Sequence, residues 1–283
     1  MNILFYGNCQ SDAIARTFNF HTDNIFNICC YNTDISKEDF TSLIGKCNII
    51  ITQPILNDYR NVAYLSTSYI IENAKKDCKI IIFDSCWFHL YYFDHTVTPN
   101  KRKNLMVPNP YHYNMMIEYY DKCYSEEDFI NNCVNNEELK TTAELEVIVK
   151  NSINELKLRY KDYTTRYKGD NIYYICTAEF IQNNYKENLL FYTPNHPSKY
   201  LIQFICKEIL KIMQIEDKNI INYNYDKFYY SVRCILYKCI QKMVNFDITK
   251  HTAYTINHSS SYGLDNYTMT KLYYDAYKKL NIL

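Results

Sequence analysis

Over the first hundred residues, short apolar runs alternate with segments whose apolar residues recur at helical spacing. Runs of this length are typical of strands that are buried on both faces of a sheet. The predicted strands are residues 2–6, 25–30, 48–52 and 79–83, and the predicted helices of this part are residues 10–20 and 64–76. This alternation predicts the α/β class, with a mostly parallel sheet that is flanked by helices.

The middle and the end of the chain follow different patterns. Residues 110–168 are charged and helical, and apolar residues recur at helical spacing within residues 137–167. A short strand at 189–192 and an amphipathic helix at 199–215 then restore the α/β pattern, before a tyrosine-rich tail that ends in a helix at 269–280. We therefore expect a single domain over residues 1–283, with a three-layer, Rossmann- or SGNH-like arrangement. A helical insertion is expected at about 110–168 and an irregular C-terminal extension at about 217–283.

Composition narrows the possible partners. The chain has 31 basic and 31 acidic residues, and this balance gives no electrostatic reason to expect a nucleic-acid partner. Its apolar runs are far shorter than the roughly 20 residues that cross a membrane, and no signal peptide is recognisable, so we expect a cytoplasmic protein. The 12 cysteines include no C-x-x-C pair, which favours reduced structural thiols and no metal site.

The turn after the first predicted strand carries the first candidate chemistry. It reads Gly-Asn-Cys-Gln-Ser at residues 7–11 and leads directly into a helix. Backbone N–H groups and the positive end of the helix dipole favour an anion there, and the same field favours the thiolate form of Cys9. The turn is thus a candidate phosphate cradle, a candidate nucleophile, or both. The alternative is that Cys9 is only a small residue packed under the loop.

A second polar turn lies between the late strand and the amphipathic helix. It reads Thr-Pro-Asn-His-Pro-Ser at residues 193–198. If the sheet brings this turn close to Cys9, then Cys9 and His196 form a nucleophile and base pair of a usual kind. The alternative for His196 is a histidine that hydrogen-bonds within its own turn.

Two further loops are expected at the same edge of the sheet, because ligands of open α/β sheets bind beyond the carboxyl ends of the strands. These loops are residues 52–60 and 84–95. Arg60 could bind a phosphate through two hydrogen bonds, although a solvated surface arginine is the more common situation. His89 is a weaker candidate, in a loop whose aromatic residues suggest a pocket wall.

Together these motifs resemble the WcbI-like polysaccharide biosynthesis family, in order and in rough spacing, over residues 1 to about 215. The matching segments are Phe-Tyr-Gly-Asn-Cys-Gln at 5–10, Thr-Gln-Pro at 52–54 with Tyr59 and Arg60 behind it, and Leu-Phe-Tyr-Thr-Pro-Asn-His-Pro-Ser at 190–198. The resemblance implies a protein that binds coenzyme A or adenosine 3′,5′-bisphosphate and acts as an acetyltransferase on a surface sugar. It also implies that the 7–10 turn lines the ligand site, opposite His196 and Ser198.

Acyl transfer from a coenzyme A thioester, with acetyl-CoA as the donor, is therefore the expected reaction, and a sugar or nucleotide sugar is the expected acceptor. His196 would remove a proton from the attacking hydroxyl or amine, or Cys9 would first accept the acyl group. Two alternatives are an SGNH-like esterase or deacetylase and a non-catalytic module that binds coenzyme A or a nucleotide. The candidate catalytic residues are Cys9 and His196. The candidate cofactor-binding residues are Gly7, Asn8, Gln10, Ser11, Gln53, Tyr59, Arg60, His89, Asn195 and Ser198.

Overall fold

The computed structural model describes residues 1–19, 24–31, 34–97, 111–217, 220–228, 234–251 and 265–280. The strands are β1 (Ile3–Gly7), β2 (Ile25–Cys29), β3 (Ile49–Thr52), β4 (Lys79–Phe83), β5 (His95–Val97), β6 (Tyr111–Tyr113), β7 (Ile172–Ile175), β8 (Phe191–Thr193) and β9 (His196–Pro197). The helices are α1 (Cys9–Thr17), α2 (Lys37–Ile44), α3 (Thr67–Asn73), α4 (Asn114–Asp121), α5 (Glu126–Phe129), α6 (Thr142–Arg166), α7 (Ala178–Asn184), α8 (Lys199–Met213) and α9 (Asn266–Leu280).

The chain divides into two compact units that are each built from several segments. The first unit comprises Met1–Cys86, Ile153–Gln182 and Pro197–Asp226. The second unit comprises Trp87–Ser152, Asn183–His196 and Lys227–Leu283. The predicted arrangement as one domain with an insertion and an extension stays a prediction. Residue 110 and, within the extension, residues 218–219, 229–233, 252–264 and 281–283 lie outside the described part of the chain.

A parallel five-stranded sheet organises the first unit, in the order β2-β1-β3-β4-β7. The four strands predicted near the N-terminus are all present, which confirms the α/β class. The fifth strand, β7, follows the long helix α6 and was not predicted. The strand predicted at 189–192 corresponds to β8, which pairs with β9 in a separate two-stranded sheet.

Helices cover both faces of the sheet. Alternate side chains of the strands, including Leu4 and Tyr6 of β1, belong to a buried cluster that also contains Phe40 of α2, Ile70 of α3 and Tyr163 of α6. On the opposite face α1 packs against β1, β2 and α8. Because both faces are buried, the open edge at the carboxyl ends of the strands is where a ligand can reach the backbone.

Tyrosines fill much of the interior of the second unit. Its antiparallel strands β5 and β6 pair His95 with Tyr113, and α4, α5 and α9 pack together. Buried hydroxyls find acceptors: Tyr92 donates to the carbonyl of Phe191 at 2.8 Å and Tyr237 donates to Asp94 at 2.6 Å. These tyrosines therefore combine apolar burial with a satisfied polar end. Within the described ranges, no helix is both long enough and apolar enough to cross a membrane.

Candidate functional site

The turn between β1 and α1 is closed by Asn8. The Asn8 side chain accepts a hydrogen bond from the backbone N–H of Gln10 at 2.8 Å and so caps α1. Gly7 precedes it at a point of close approach, because a Cβ there would lie 2.6 Å from Oε1 of Gln53 and 2.9 Å from Cβ of Ser11. The glycine is therefore needed for space, and α1 begins at Cys9.

Two buried glutamines, Gln10 and Gln53, stabilise this turn by hydrogen bonds. Oε1 of Gln53 accepts the backbone N–H of Asn8 at 2.8 Å, and Nε2 of Gln53 donates to Oε1 of Gln10 at 3.2 Å. Gln10 also exchanges two hydrogen bonds with the backbone of Cys86, both at 2.9 Å. Both side chains are almost fully buried. Both side chains therefore hold the turn through hydrogen bonds within the protein, and the ligand-binding role expected for them stays a prediction.

The loops that follow three strands meet at this turn. The end of β1 contributes Asn8, the end of β3 contributes Gln53, and the end of β4 contributes Ser85, whose Oγ accepts from Nδ2 of Asn8 at 3.3 Å. The expected convergence of the 7–11 and 52–60 loops with the start of the 84–95 loop is therefore observed within the first unit.

Backbone N–H groups of the turn already donate inside the protein. Those of Asn8 and Gln10 bond to Gln53 and to the Asn8 side chain, and those of Ser11 and Asp12 reach the carbonyl of Asn8 at 3.0 and 3.4 Å. A phosphate held by these groups would have to displace the bonds that form the turn. The geometry thus favours the turn as a rigid support for Cys9 over a phosphate cradle.

On the β2 side of the turn lies a thiol cluster formed by Cys9, Cys29 and Cys30. Cys9 and Cys29 are half-buried, and Cys30 is buried. Burial raises the pKa of Cys30, whose Sγ lies 3.7 Å from the Tyr59 hydroxyl. The exposed side chain of Arg60 donates to the carbonyl of Cys30 at 3.3 Å. The predicted site residues Tyr59 and Arg60 are therefore next to this cluster, and Arg60 supplies a positive charge there.

On the other side of the turn, an open cleft of about 470 Å³ lies against α6. Its wall includes two exposed leucines, Leu56 and Leu158, and Ser85, which also contacts Asn8. The cleft is lined by Pro54, Leu56, Asp84, Ser85, Leu158, Arg159, Asp162 and Tyr163. Its volume is in the range of small-molecule pockets.

Asp84 at this cleft was missed by the sequence analysis. Its carboxylate accepts from the hydroxyl of Tyr163 at 2.8 Å and from the backbone N–H and the hydroxyl of Thr177 at 2.7 and 3.0 Å. Burial nevertheless raises the pKa of Asp84. The available signal was an acidic residue directly after a buried strand, which alone does not distinguish a structural carboxylate from a functional one.

Two buried hydroxyls of the first unit lack hydrogen-bond partners among the described residues. They belong to Ser11, in the first turn of α1, and to Ser198, the N-cap of α8. Both were predicted site residues. An unsatisfied buried hydroxyl costs free energy, so each is a position where a bound water or ligand atom would be stabilising.

His196 lies in the second unit in an aromatic setting. Its ring stacks on Phe228 with centroids 4.5 Å apart and meets Tyr111 edge-on at 6.1 Å. Nδ1 of His196 is buried with no partner in the described part of the chain. Burial lowers the pKa of His196 to about 4, so the imidazole is neutral at pH 7 and able to accept a proton.

The remaining candidates of the second unit, Asn195 and His89, make hydrogen bonds within that unit. Oδ1 of Asn195 accepts from the hydroxyl of Tyr111 at 2.5 Å and from that of Thr193 at 3.1 Å. The backbone N–H of His89 donates to Oγ of Ser152 at 3.2 Å. No group of three or more metal-ligating side chains occurs among the described residues.

Comparison with known proteins identifies the fold and the family of the chain. No curated protein sequence matches the chain. A solved structure of WcbI, described as a novel polysaccharide biosynthesis enzyme and as native protein without a disulfide bond between coenzyme A and one of its cysteines, shares the fold. The TM-score is 0.80 at 16% sequence identity, and the match covers 98% of this chain and 90% of that one. The sequence profile of the polysaccharide biosynthesis enzyme WcbI matches residues 2–218. Since that match spans well over half of the sequence, the protein belongs to the WcbI family of polysaccharide biosynthesis enzymes.

Proposed function

We propose that this enzyme transfers an acyl group from a coenzyme A thioester, with acetyl-CoA as the donor, to a hydroxyl or amine of a sugar. The observation that carries the proposal is the half-buried thiol of Cys9 at the N-terminus of α1, on a turn fixed by buried glutamines. The solved relative is described as lacking a disulfide bond between coenzyme A and a cysteine, and this mention of coenzyme A supports the same choice of donor.

The donor is proposed to lie beside the thiol cluster. Arg60 provides an exposed guanidinium there, which suits a phosphate group of coenzyme A. Asn8 keeps a half-buried side-chain amide next to Cys9, and this amide could stabilise negative charge on a thioester carbonyl.

The acceptor is proposed to enter the cleft lined by Ser85 and Leu158. That cleft has room for a sugar, and Ser85 joins it directly to the turn through Asn8. His196 remains the proposed base, because its imidazole is neutral and its Nδ1 has no partner among the described residues. Direct transfer is preferred over an acyl-cysteine intermediate, since a second thioester gains little over the first.

Calorimetric titration of the protein with coenzyme A, acetyl-CoA and adenosine 3′,5′-bisphosphate tests the donor. We expect micromolar binding of acetyl-CoA. Replacing Gly7 with valine should abolish this binding, because the new side chain collides with Gln53 and distorts the turn, whereas Cys9→Ala should largely retain it. The absence of binding by all three compounds would overturn the proposal, and esterase substrates would then be tested.

The variant His196→Gln tests the chemistry. It should bind acetyl-CoA like the unmodified enzyme and lose transfer to amino sugars and sugar nucleotides used as a panel of acceptors. Full turnover by this variant would exclude His196 as the base. If Cys9→Ala and His196→Gln changed nothing but affinity, the protein would be a binding module and not a transferase.

A further inference from the structure

Cys29 lies on the same face of the sheet as helix α1. In the parallel pairing of β1 and β2, Cys29 is opposite Gly7, two residues before Cys9. Successive side chains of a strand point to opposite faces, so Asn27 and Cys29 share one face while Ile28 and Cys30 share the other. Ile28 and Cys30 indeed pack with the core cluster beneath α2 and α3. Cys29 therefore faces α1.

A hydrogen bond sets the position of α1 along β2. Nδ2 of Asn27 donates to Oδ1 of Asp12 at 2.6 Å. Cys9 is three residues before Asp12, so it lies on the same side of the helix, roughly 4.5 Å nearer its N-terminus. Cys29 is two residues after Asn27, roughly 6.6 Å further along the strand. Helix α1 runs antiparallel to β1 and β2, so both steps lead toward the carboxyl ends of the strands. This places Cys9 and Cys29 at the same end of the same face of the sheet.

The surroundings of Tyr31 agree with this placement of the thiols. Burial of its hydroxyl raises the pKa of Tyr31, and the thiols of Cys29, Cys9 and Cys30 raise it further. All three thiols are thus within electrostatic reach of one phenol. Since Cys30 is buried on the other face and contacts Tyr59, the accessible pair is Cys9 and Cys29.

We propose that Cys9 and Cys29 form a dithiol that reduces coenzyme A disulfide, or another disulfide of coenzyme A, in a single turnover. The proposal rests on the proposed binding of coenzyme A beside Cys9. It assigns to Cys29 the role of a resolving cysteine, which clears coenzyme A from Cys9 and leaves a disulfide within the protein.

The chemistry takes two exchange steps. The thiolate of Cys9, favoured at the N-terminus of α1, attacks one sulfur of coenzyme A disulfide, forming a mixed disulfide and releasing one coenzyme A thiolate. The thiolate of Cys29 then attacks Sγ of Cys9, forming the Cys9–Cys29 disulfide and releasing the second coenzyme A thiolate. The two protein thiols are oxidised and their protons pass to solvent or to the departing thiolates, while coenzyme A disulfide is reduced.

Intact-mass and peptide analysis after incubation of the reduced protein with coenzyme A disulfide tests this inference. Trypsin cuts after Arg16 and Lys37, so Cys9 lies in peptide 1–16 and Cys29 in peptide 17–37. The unmodified protein should release two coenzyme A thiols and yield these peptides joined by a disulfide. Cys29→Ser should release one thiol and retain coenzyme A on peptide 1–16, and Cys9→Ser should form neither product.

Cys30→Ser distinguishes the two cysteines of peptide 17–37, because it removes the thiol on the opposite face and should still yield peptides 1–16 and 17–37 joined by a disulfide. Equal retention of coenzyme A by the unmodified protein and by Cys29→Ser would overturn the inference, as would loss of the internal disulfide in Cys30→Ser. Acetyl-CoA, which has no free thiol, separates the two proposals. If acetyl-CoA binds but coenzyme A disulfide produces no Cys9–Cys29 disulfide, only the dithiol inference fails. If acetyl-CoA does not bind and glutathione disulfide still joins the two peptides, the donor proposal fails and the thiol pair stands.

Discussion

The backbone N–H of Asn8 donates to Oε1 of Gln53 at 2.8 Å, so a buried amide at the end of β3 fixes the turn that starts α1. The other end of that amide donates to Gln10, which in turn holds the backbone after β4. One chain of hydrogen bonds thereby links the ends of three neighbouring strands. The position of Cys9 depends on this chain of hydrogen bonds, because Asn8 and Gln10 flank Cys9 in the sequence.

The variant Gln53→Glu should destabilise the protein and distort the turn. A carboxylate oxygen would replace the Nε2 donor and oppose Oε1 of Gln10, which lies 3.2 Å away. Two buried acceptors that face each other lose a hydrogen bond and its solvation, so we expect the free energy of unfolding to fall by about 1–3 kcal/mol at pH 7. Part of this loss should be recovered near pH 5, where a protonated glutamate can donate. Urea unfolding at both pH values measures the effect.

Gln182→Glu is the matched control for that experiment. Gln182 is exposed and accepts from Nζ of Lys157 at 3.2 Å, so a carboxylate there gains an ion pair at the surface. Its effect should stay within about 0.5 kcal/mol. Equal stabilities of the two variants would show that the buried amide chain does not hold the turn.

Replacement by alanine should change the stability of the protein in opposite directions at Gly7 and at Gly45. At Gly7 a Cβ would lie 2.6 Å from Oε1 of Gln53, so Gly7→Ala should cost about 1–3 kcal/mol of stability through overpacking. At Gly45, which ends α2 with a right-handed helical backbone, the nearest atom to a Cβ is the carbonyl oxygen of Thr41 at 3.4 Å. Gly45→Ala should therefore be neutral or stabilise by up to about 1 kcal/mol. Thermal unfolding of both variants measures the difference, and a loss of stability at both positions would contradict it.

Four strands of the sheet were predictable because each is a short, mostly apolar run, interrupted only in β2, by Asn27. The fifth strand, β7, has the sequence Ile-Tyr-Tyr-Ile, and in a chain with 31 tyrosines such a segment does not stand out. Helix α2 was also missed, although Ser36 and Asp39 form the spacing of an N-cap, and the Ser36 side chain does accept from the backbone of Asp39.

The location of the candidate site was predictable from the sequence. The hydrogen bonds and the burial of its residues were harder to predict. The Gly-Asn-Cys-Gln-Ser turn could be assigned to the edge of the sheet, since strand, turn and helix follow directly in sequence. The hydrogen bonds that hold Gln10 depend on Cys86, which is 76 positions away in the sequence. No local pattern separates a glutamine that contacts a ligand from one that holds a loop.

Arg60 and Asn61 offer a matched test of the proposed phosphate contact. Both have positive φ values, 55° and 57°, which glycine adopts without strain. Arg60→Gly and Asn61→Gly should therefore have similar, small effects on stability, while Arg60→Gly also removes the exposed charge. We expect Arg60→Gly to weaken coenzyme A binding by roughly tenfold or more, from the loss of charge-assisted hydrogen bonds.

Calorimetric titration of both variants at low and high salt checks this expectation. The affinity lost in Arg60→Gly should shrink as ionic strength rises, because screening weakens the same contact in the unmodified protein. Asn61→Gly should keep both the affinity and its salt dependence. Unchanged binding of coenzyme A by Arg60→Gly would mean that Arg60 is a solvated surface arginine and does not contact a phosphate.

His196 should make the protein less stable in mild acid. Burial lowers its pKa to about 4, against 6.5 for the unfolded chain, and His95 behaves in the same way. Between pH 6.5 and 4 the unfolded state binds more protons at these sites than the folded state, so stability falls as the pH falls through that window. Each histidine contributes a loss on the order of 1–3 kcal/mol at the acid end. Above pH 6.5 neither histidine contributes to the change of stability with pH.

The slope of stability against pH isolates this effect in His196→Gln. The variant loses the stacking on Phe228 at every pH, which lowers its stability by a constant amount, but it no longer takes up a proton on unfolding. Its unfolding midpoint should therefore change less between pH 6.5 and 4 than that of the unmodified protein. Asp94, whose pKa burial raises to about 6, has the opposite influence over part of this window and is common to both proteins. Parallel curves of stability against pH for the two proteins would mean that the pKa of His196 is not lowered by burial. The proposal that burial keeps His196 neutral as the base would then have no support.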